Sequence, residues 1–170
     1  MGDRTYSIPY ESVDYCGIRF RSKLEVRWYI FLTTLGIVAT YEPKRFFFPE
    51  YYGTDIHMYT PDFGLLSCNY NYLEIKPTPP TVNEYAKIRA LSQLGYKCAI
   101  LAGGCNPDVQ VYLFENGQRK YIPRSSAFLQ QCFQFKLNAR QGETVAALKV
   151  VLGKHKGWDK AWRKAWEFKA

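Results

Sequence analysis

Long apolar runs are missing from this chain. No uninterrupted stretch reaches the roughly 18 residues that a membrane-spanning helix needs, and no signal peptide is apparent at the N-terminus. A protein without a membrane span, working in the cytoplasm, is the expectation. The five cysteines are an odd number and contain no C-x-x-C pair. A zinc site and a disulfide frame are therefore disfavoured against free thiols in a reducing compartment. Repeats and low-complexity tracts are lacking as well. Aromatic residues are plentiful at 17% of the chain, so a folded protein with a sizeable core is expected.

What the sequence has is 170 residues, 19.8 kDa and a net charge of +8, unevenly placed. Residues 1–117 carry a net −1, and residues 118–170 carry +9. The asymmetry points to a polyanion partner, either nucleic acid or a membrane surface. The chain is read as a core over 1–122, with N-terminal strands and an added hairpin, and a basic helical extension over 123–170 packed on it.

Gly17 to Arg21 reads as a short strand leading into a helix that Ser22-Lys23-Leu24-Glu25 opens. Leu24, Trp28, Phe31, Leu32 and Leu35 form its apolar stripe, and Gly36 stops it. Ser22-x-x-Glu25 has the form of a capping box. Strands follow at Ile37–Tyr41 and Arg45–Phe48, then a loop over 49–57. His57 is a candidate general base, although a lone histidine beside a strand is more often structural.

The most informative stretch is Tyr59-Thr60-Pro61-Asp62-Phe63, followed by Tyr72-Leu73-Glu74-Ile75-Lys76-Pro77. Side chains alternate faces along a strand, so Glu74 and Lys76 share one face while Leu73 and Ile75 point into the core. Ser67-Cys68-Asn69 is short and polar enough to be a turn. A hairpin folded about Cys68 sets Asp62 opposite Glu74, with Cβ atoms about 4.5–5.5 Å apart. Two carboxylates at that distance call for a cation, and Mg²⁺ prefers hard oxygen ligands. Read without a metal, the same residues make a partly exposed hairpin with an ordinary Glu/Lys surface.

Thr81-x-x-Glu84 is a second capping box, opening a helix that runs to Leu94 with Gly95 as its stop. Tyr96 to Ala102 is an apolar strand, parallel to the Glu74 strand because a helix crossover joins them. Asn116-Gly117 marks a hairpin between Val109–Phe114 and Gln118–Ile122. Helical stretches near 125–136 and 142–152 precede a last segment with Trp158, Trp162 and Trp166 at i, i+4, i+8. Lys160, Arg163, Lys164 and Lys169 fill other positions of that segment. The tryptophans can dock on the core or stack on bases, and the charges can face nucleic acid either way.

Pro61-Asp62 with Glu74-x-Lys76 resembles the signature of the PD-(D/E)xK nuclease superfamily. Two other triplets, Glu42-Pro43-Lys44 and Glu167-Phe168-Lys169, lack a Pro-Asp pair a hairpin's length upstream. Over residues 18–102 the element order resembles the αβββαβ core of that superfamily. The resemblance implies an α/β restriction-endonuclease-like fold, with a mixed central sheet flanked by helices. It implies a Mg²⁺-dependent phosphodiesterase, with Mn²⁺ able to substitute, held by Asp62, Glu74 and the Ile75 carbonyl. Lys76 would orient water or stabilise negative charge. Glu25 matches the helical glutamate that joins such metal sites, a role its capping box does not exclude. Lys87 is a candidate phosphate contact, against the plainer reading of a solvated helix face. A DNA endonuclease of phage or mobile-element type follows, acting in the host-cell cytoplasm if viral, with a homodimer left open. The alternatives are an RNA-cleaving enzyme of the same fold, an inactive nucleic-acid-binding module, and a basic interaction protein.

Overall fold

The computed structural model describes residues 11–48, 57–66, 68–106, 108–120 and 156–169. Within them the fold is mixed α/β, with a six-stranded mixed sheet and three helices. The expected helices near 125–136 and 142–152, and most of the 49–57 loop, lie outside the described residues. No helix among the described residues is long and apolar enough to cross a membrane.

The described residues begin with a hairpin, β1 (Val13–Tyr15) and β2 (Ile18–Phe20). Only the second of these strands is signalled by the sequence. Helix α1 (Lys23–Thr34) starts where Ser22 Oγ accepts the Glu25 N–H at 3.2 Å. Val26, Trp28, Ile30, Phe31 and Leu32 are all buried, and Leu24 lies at the stripe's partly buried margin. The sheet uses β3 (Ala39–Tyr41), β6 (Phe63–Leu65), β7 (Tyr72–Lys76), β8 (Cys98–Ala102), β9 (Gln110–Glu115) and β10 (Gln118–Lys120). Their spatial order is β10-β9-β8-β7-β6-β3, and only β7 and β8 run parallel. The crossover between those two is α2 (Val82–Gln93), opened by a complete Thr81/Glu84 capping box.

The stretch Arg45–Phe48 departs from expectation. Only Phe46–Phe47 forms a strand, β4, and its partner is β5 (Met58–Tyr59), outside the main sheet. Alternation explains why. Phe46, Phe48 and Tyr59 turn inward onto the α2 side of the sheet, while Phe47 and Met58 face out. The sheet is thus covered on both faces. One face packs Phe63, Leu65, Leu73, Ile75, Ala99 and Leu101 against α1; the other packs Cys98, Ile100 and Phe114 against α2 and the β4–β5 ribbon.

The motif hairpin has the expected register, Phe63 against Leu73 and Gly64 against Tyr72. Its connection is longer than a three-residue turn, because pairing stops at Leu65 and resumes at Tyr72, with Leu65 N–H bonded to the Asn71 carbonyl. Gly64 has no side chain because Pro43 lies across it: a Cβ there would sit 2.9 Å from the proline Cγ. At the far edge, Asn116 (φ 52) and Gly117 (φ 73) make the β9–β10 turn, which docks on α2 through Arg89 and Ser92. Two successive left-handed residues are what a tight hairpin of this twist requires.

Helix α3 (Lys156–Glu167) lies on the outer side of α1. Trp162 stacks on Phe31 with centroids 3.9 Å apart and meets Trp28 edge-on, while Arg27 lies over Trp166. The Trp158 side chain lies outside those described. Lys160, Arg163, Lys164 and Lys169 are exposed. Because Trp162 is a core residue here, Trp162→Ala should cost roughly 3–5 kcal/mol of stability. Thermal melting of the variant checks this, and an unchanged melting temperature would contradict the packing.

Candidate active site

Three buried carboxylates gather where β6, β7 and the start of α1 meet. Asp62 is 2% exposed, Glu25 6% and Glu74 7%. The β6–β7 register, carried one residue past Phe63, sets Asp62 against Glu74 on the α2 side of the sheet. Burial this deep excludes an ordinary Glu/Lys surface. Each carboxylate is held by named donors. Asp62 Oδ2 accepts the Ile75 N–H at 2.7 Å and Oδ1 accepts Arg21 Nη2 at 2.7 Å. Glu74 Oε1 takes Lys76 Nζ at 2.8 Å, and Oε2 takes the Tyr59 hydroxyl from the β4–β5 ribbon. Glu25 Oε2 accepts the Tyr41 hydroxyl at 2.6 Å and the Arg21 N–H at 3.1 Å.

Glu25 takes part in the start of α1, but not as a full capping box. Its N–H completes the Ser22 cap, whereas its carboxylate reaches the N–H of Arg21, one residue before the cap. It faces Asp62 closely enough to act on its charge. Lys76 spans Glu74 and, at 3.1 Å, Glu84 of α2. Glu84 is thus more than a cap. Lys87 is half-buried one turn further along α2. It lies on the opposite face of the sheet from α3, so the expected cationic residues do not form one patch. His57 is exposed at the start of β5, with its carbonyl taken by Phe48 N–H.

The Ile75 carbonyl has a distinctive position. Along β7 the backbone groups of Lys76 face β8, since the Lys76 carbonyl accepts the Gly103 N–H. Those of Ile75 therefore face β6. The residue opposite Ile75 is Pro61, which has no N–H to give. Asp62 takes the Ile75 N–H instead, and the ladder supplies no donor to the carbonyl. The proline-aspartate pair thus ends strand pairing beside the acid pair and leaves the β6-facing carbonyl of Ile75 without a ladder donor.

Charge in this cluster is uneven. Glu25, Glu42, Asp62, Glu74 and Glu84 share two cations, Arg21 and Lys76. Burial, then the charges of Glu74 and Glu25, hold the Asp62 carboxyl well above the usual carboxylate range. Burial, then Glu74 and Asp62, likewise raise Tyr59, which stays a protonated donor. For Lys76 burial acts to lower the pKa, but Glu74 and the other carboxylates outweigh it and keep the ammonium charged. Among the described residues no three His, Cys, Asp or Glu side chains are arranged as a metal-holding group. The donors that could hold a metal are two carboxylates, of Asp62 and Glu74, and one main-chain oxygen.

Sequence reasoning missed Arg21, Tyr41 and Tyr59 as members of the site. Tyr59 lies inside the motif stretch, and alternation about β5 was the signal that could have turned it toward Glu74. Arg21 and Tyr41 carry no local signal, because their approach depends on how the α1 entry packs against β3.

The raised Asp62 carboxyl has a consequence for stability. Between the unfolded and folded pKa values the folded protein binds more protons than the unfolded chain, so stability falls as pH rises through that window. Without divalent ions, stability should decline as pH climbs above the ordinary carboxylate value of 3.8. Asp62→Asn should flatten that part of the profile. Denaturant titrations in chelator across pH measure it; an unaltered profile in the variant would assign the slope elsewhere.

Compared with models of known protein families, with curated proteins and with solved structures, the chain matches none of them.

Proposed function

We propose that this protein is a metal-dependent nuclease that hydrolyses phosphodiester bonds, with DNA as the substrate and internal cleavage as the mode. The observation that carries the reading is the opposed, buried pair Asp62 and Glu74, with Lys76 on Glu74 and the Ile75 carbonyl left without a ladder donor. The element order α1-β3-β6-β7-α2-β8 is compatible with the restriction-endonuclease-like core that the motif resembles. The choice of DNA and of internal cutting rests on that resemblance.

An all-oxygen donor set of two carboxylates and one carbonyl suits Mg²⁺, which completes its shell with water and substrate phosphate. The excess of carboxylates over cations in the cluster favours a divalent ion there. When bound, such an ion supplies Lewis-acid polarisation of the phosphate and a more acidic water. Asp62 and Glu74 would hold the ion, and the Ile75 N–H orients the Asp62 carboxylate. Tyr59 anchors the second oxygen of Glu74 and so fixes how that side chain is turned. Lys76 remains protonated and sits between Glu74 and Glu84, so it can donate to a water or a charged phosphate oxygen without carrying a proton away. The Glu84 partner holds the ammonium when substrate is absent.

Asp62→Asn and Glu74→Gln should each abolish metal binding and cleavage together. Lys76→Ala should keep metal binding and lose on the order of 10²–10³ in rate, as the loss of one transition-state contact commonly does. Calorimetry with Mn²⁺ beside a cleavage assay separates the two classes. A Lys76→Ala enzyme with wild-type turnover would sink the assigned role.

The exposed cations of α3, with Lys169 just beyond it, are suited to the nucleic-acid backbone rather than to the chemistry. Replacing Lys160, Arg163, Lys164 and Lys169 by Gln should weaken duplex binding and flatten its salt dependence, by close to one unit of log–log slope per lost phosphate contact. Turnover at saturating duplex should change little. Binding isotherms across a salt series are the measurement, and an unchanged slope would detach the basic helix from nucleic acid.

A further inference from the structure

Arg21 occupies an unusual place in the cluster. Its guanidinium is shared between two acids of opposite character: Nη2 on Asp62, which is buried, and Nε on Glu42 at 3.0 Å, which is exposed. The Arg21 side chain is itself 52% exposed, so it reaches into the acid pair from solvent rather than from the core. Its main chain is fixed independently, since its N–H donates to Glu25 and to the Tyr41 hydroxyl. Glu42 is fixed too. It adopts a left-handed backbone (φ 43), and its N–H bonds the Asp62 carbonyl at 2.8 Å. The arm therefore has a rigid root, a rigid second partner and one contact, Nη2 to Asp62 Oδ1, on an oxygen that a divalent ion would also need.

Resting on the nuclease reading above, we propose that Arg21 is a substrate-binding residue that changes partners. Without a divalent ion its Nη2 stays on Asp62; with the ion bound, Nη2 leaves Asp62 and donates to a non-bridging oxygen of the substrate phosphodiester, while Nε stays on Glu42. The chemistry favours an arginine in this role. A guanidinium has five donors in a planar fork, so it can keep one acid while exchanging another, and it matches phosphate as well as carboxylate. A lysine, with one point of charge, could not hold Glu42 and switch at the same time. Two like charges on one Asp62 oxygen would repel, so ion and guanidinium exclude each other there. Loading of the site thus exposes a phosphate ligand beside it, and the grip at the cluster, unlike the nonspecific affinity of the basic helix, comes only with the ion.

The exchange has a signature that a fixed ion pair lacks: the effect of Arg21 on substrate affinity must depend on the ion. The test uses the full chain carrying Lys76→Ala, so that substrate is not consumed, and a fluorescent DNA duplex titrated in Ca²⁺ and in chelator. Arg21→Gln should weaken duplex binding about tenfold or more in Ca²⁺, the worth of one charge-assisted hydrogen bond, and leave it unchanged in chelator. Arg21→Lys, which keeps the charge and guards against a folding defect, should show the same ion-dependent loss in lesser degree. Calorimetry of Ca²⁺ alone should find it bound more tightly by Arg21→Gln than by the parent. Equal losses with and without Ca²⁺, or no loss in either, would overturn the exchange while leaving the nuclease reading intact. A parent protein that binds no Ca²⁺ would overturn both.

Discussion

Two carboxylates buried face to face impose conditions on everything near them. Asp62 and Glu74 are fixed against each other by strand register, and neither has open water to solvate its charge. Removing ionised groups from water costs several kcal/mol each unless partners replace the lost hydration. The partners of the two carboxylates come from the entry to α1, the β4–β5 ribbon and β7, and residues after β3 and on α2 hold Arg21 and Lys76 in turn. Tyr59 explains the ribbon's position, Lys76 with Glu84 explains how α2 is tied to β7, and Arg21 explains the link between α1 and β6. Among the described residues, the α2 side of the core is apolar apart from this seam and Ser92. The seam is thus the point where the fold accepts an unfavourable arrangement, which is how functional sites commonly arise in otherwise consistent sequences.

The motif hairpin could be read from the sequence because its information is local. A two-residue period fixes which side chains share a face, and a turn fixes the register; both operate over the span from Asp62 to Lys76. Asn116-Gly117 and the Thr81/Glu84 cap were legible for the same reason, since each specifies backbone geometry within four residues. Arg45–Phe48 shows the limit. Its pattern says that alternate residues are buried, which is true, but not against which sheet, and it pairs with Met58–Tyr59 away from the main one. Glu25 lies between these cases: its cap was visible in the tetrapeptide, whereas the destination of its carboxylate was decided by Tyr41, sixteen residues away. Arg21 and Tyr41 had no local sign at all.

The Pro61-Asp62 pair links sequence to chemistry most directly. A proline at that position withholds the one N–H that would close the ladder on the Ile75 carbonyl, and the aspartate takes over the Ile75 N–H. Any other residue in place of Pro61 could extend the strand and consume the carbonyl. What reads in the sequence as a dipeptide motif is, in the fold, a way of stopping a sheet one pair early. Gly64 serves the same corner: it lets Pro43 close over β6, and Pro43 follows Glu42, whose main chain holds Asp62.

The docking of α3 on α1 bears on the order in which the protein assembles. Trp162 reaches Phe31 and Trp28 across roughly 130 residues of chain, a long loop to close and a slow kind of contact to form. Until it forms, α1 has a bare apolar flank, and α1 is the element that carries Glu25 and follows directly on Arg21. A chain still emerging from the ribosome can build the β6–β7 hairpin early, from neighbouring residues, and so hold the acid pair before its helical layer is secured. Docking of α3 then completes the packing of the helix that carries Glu25.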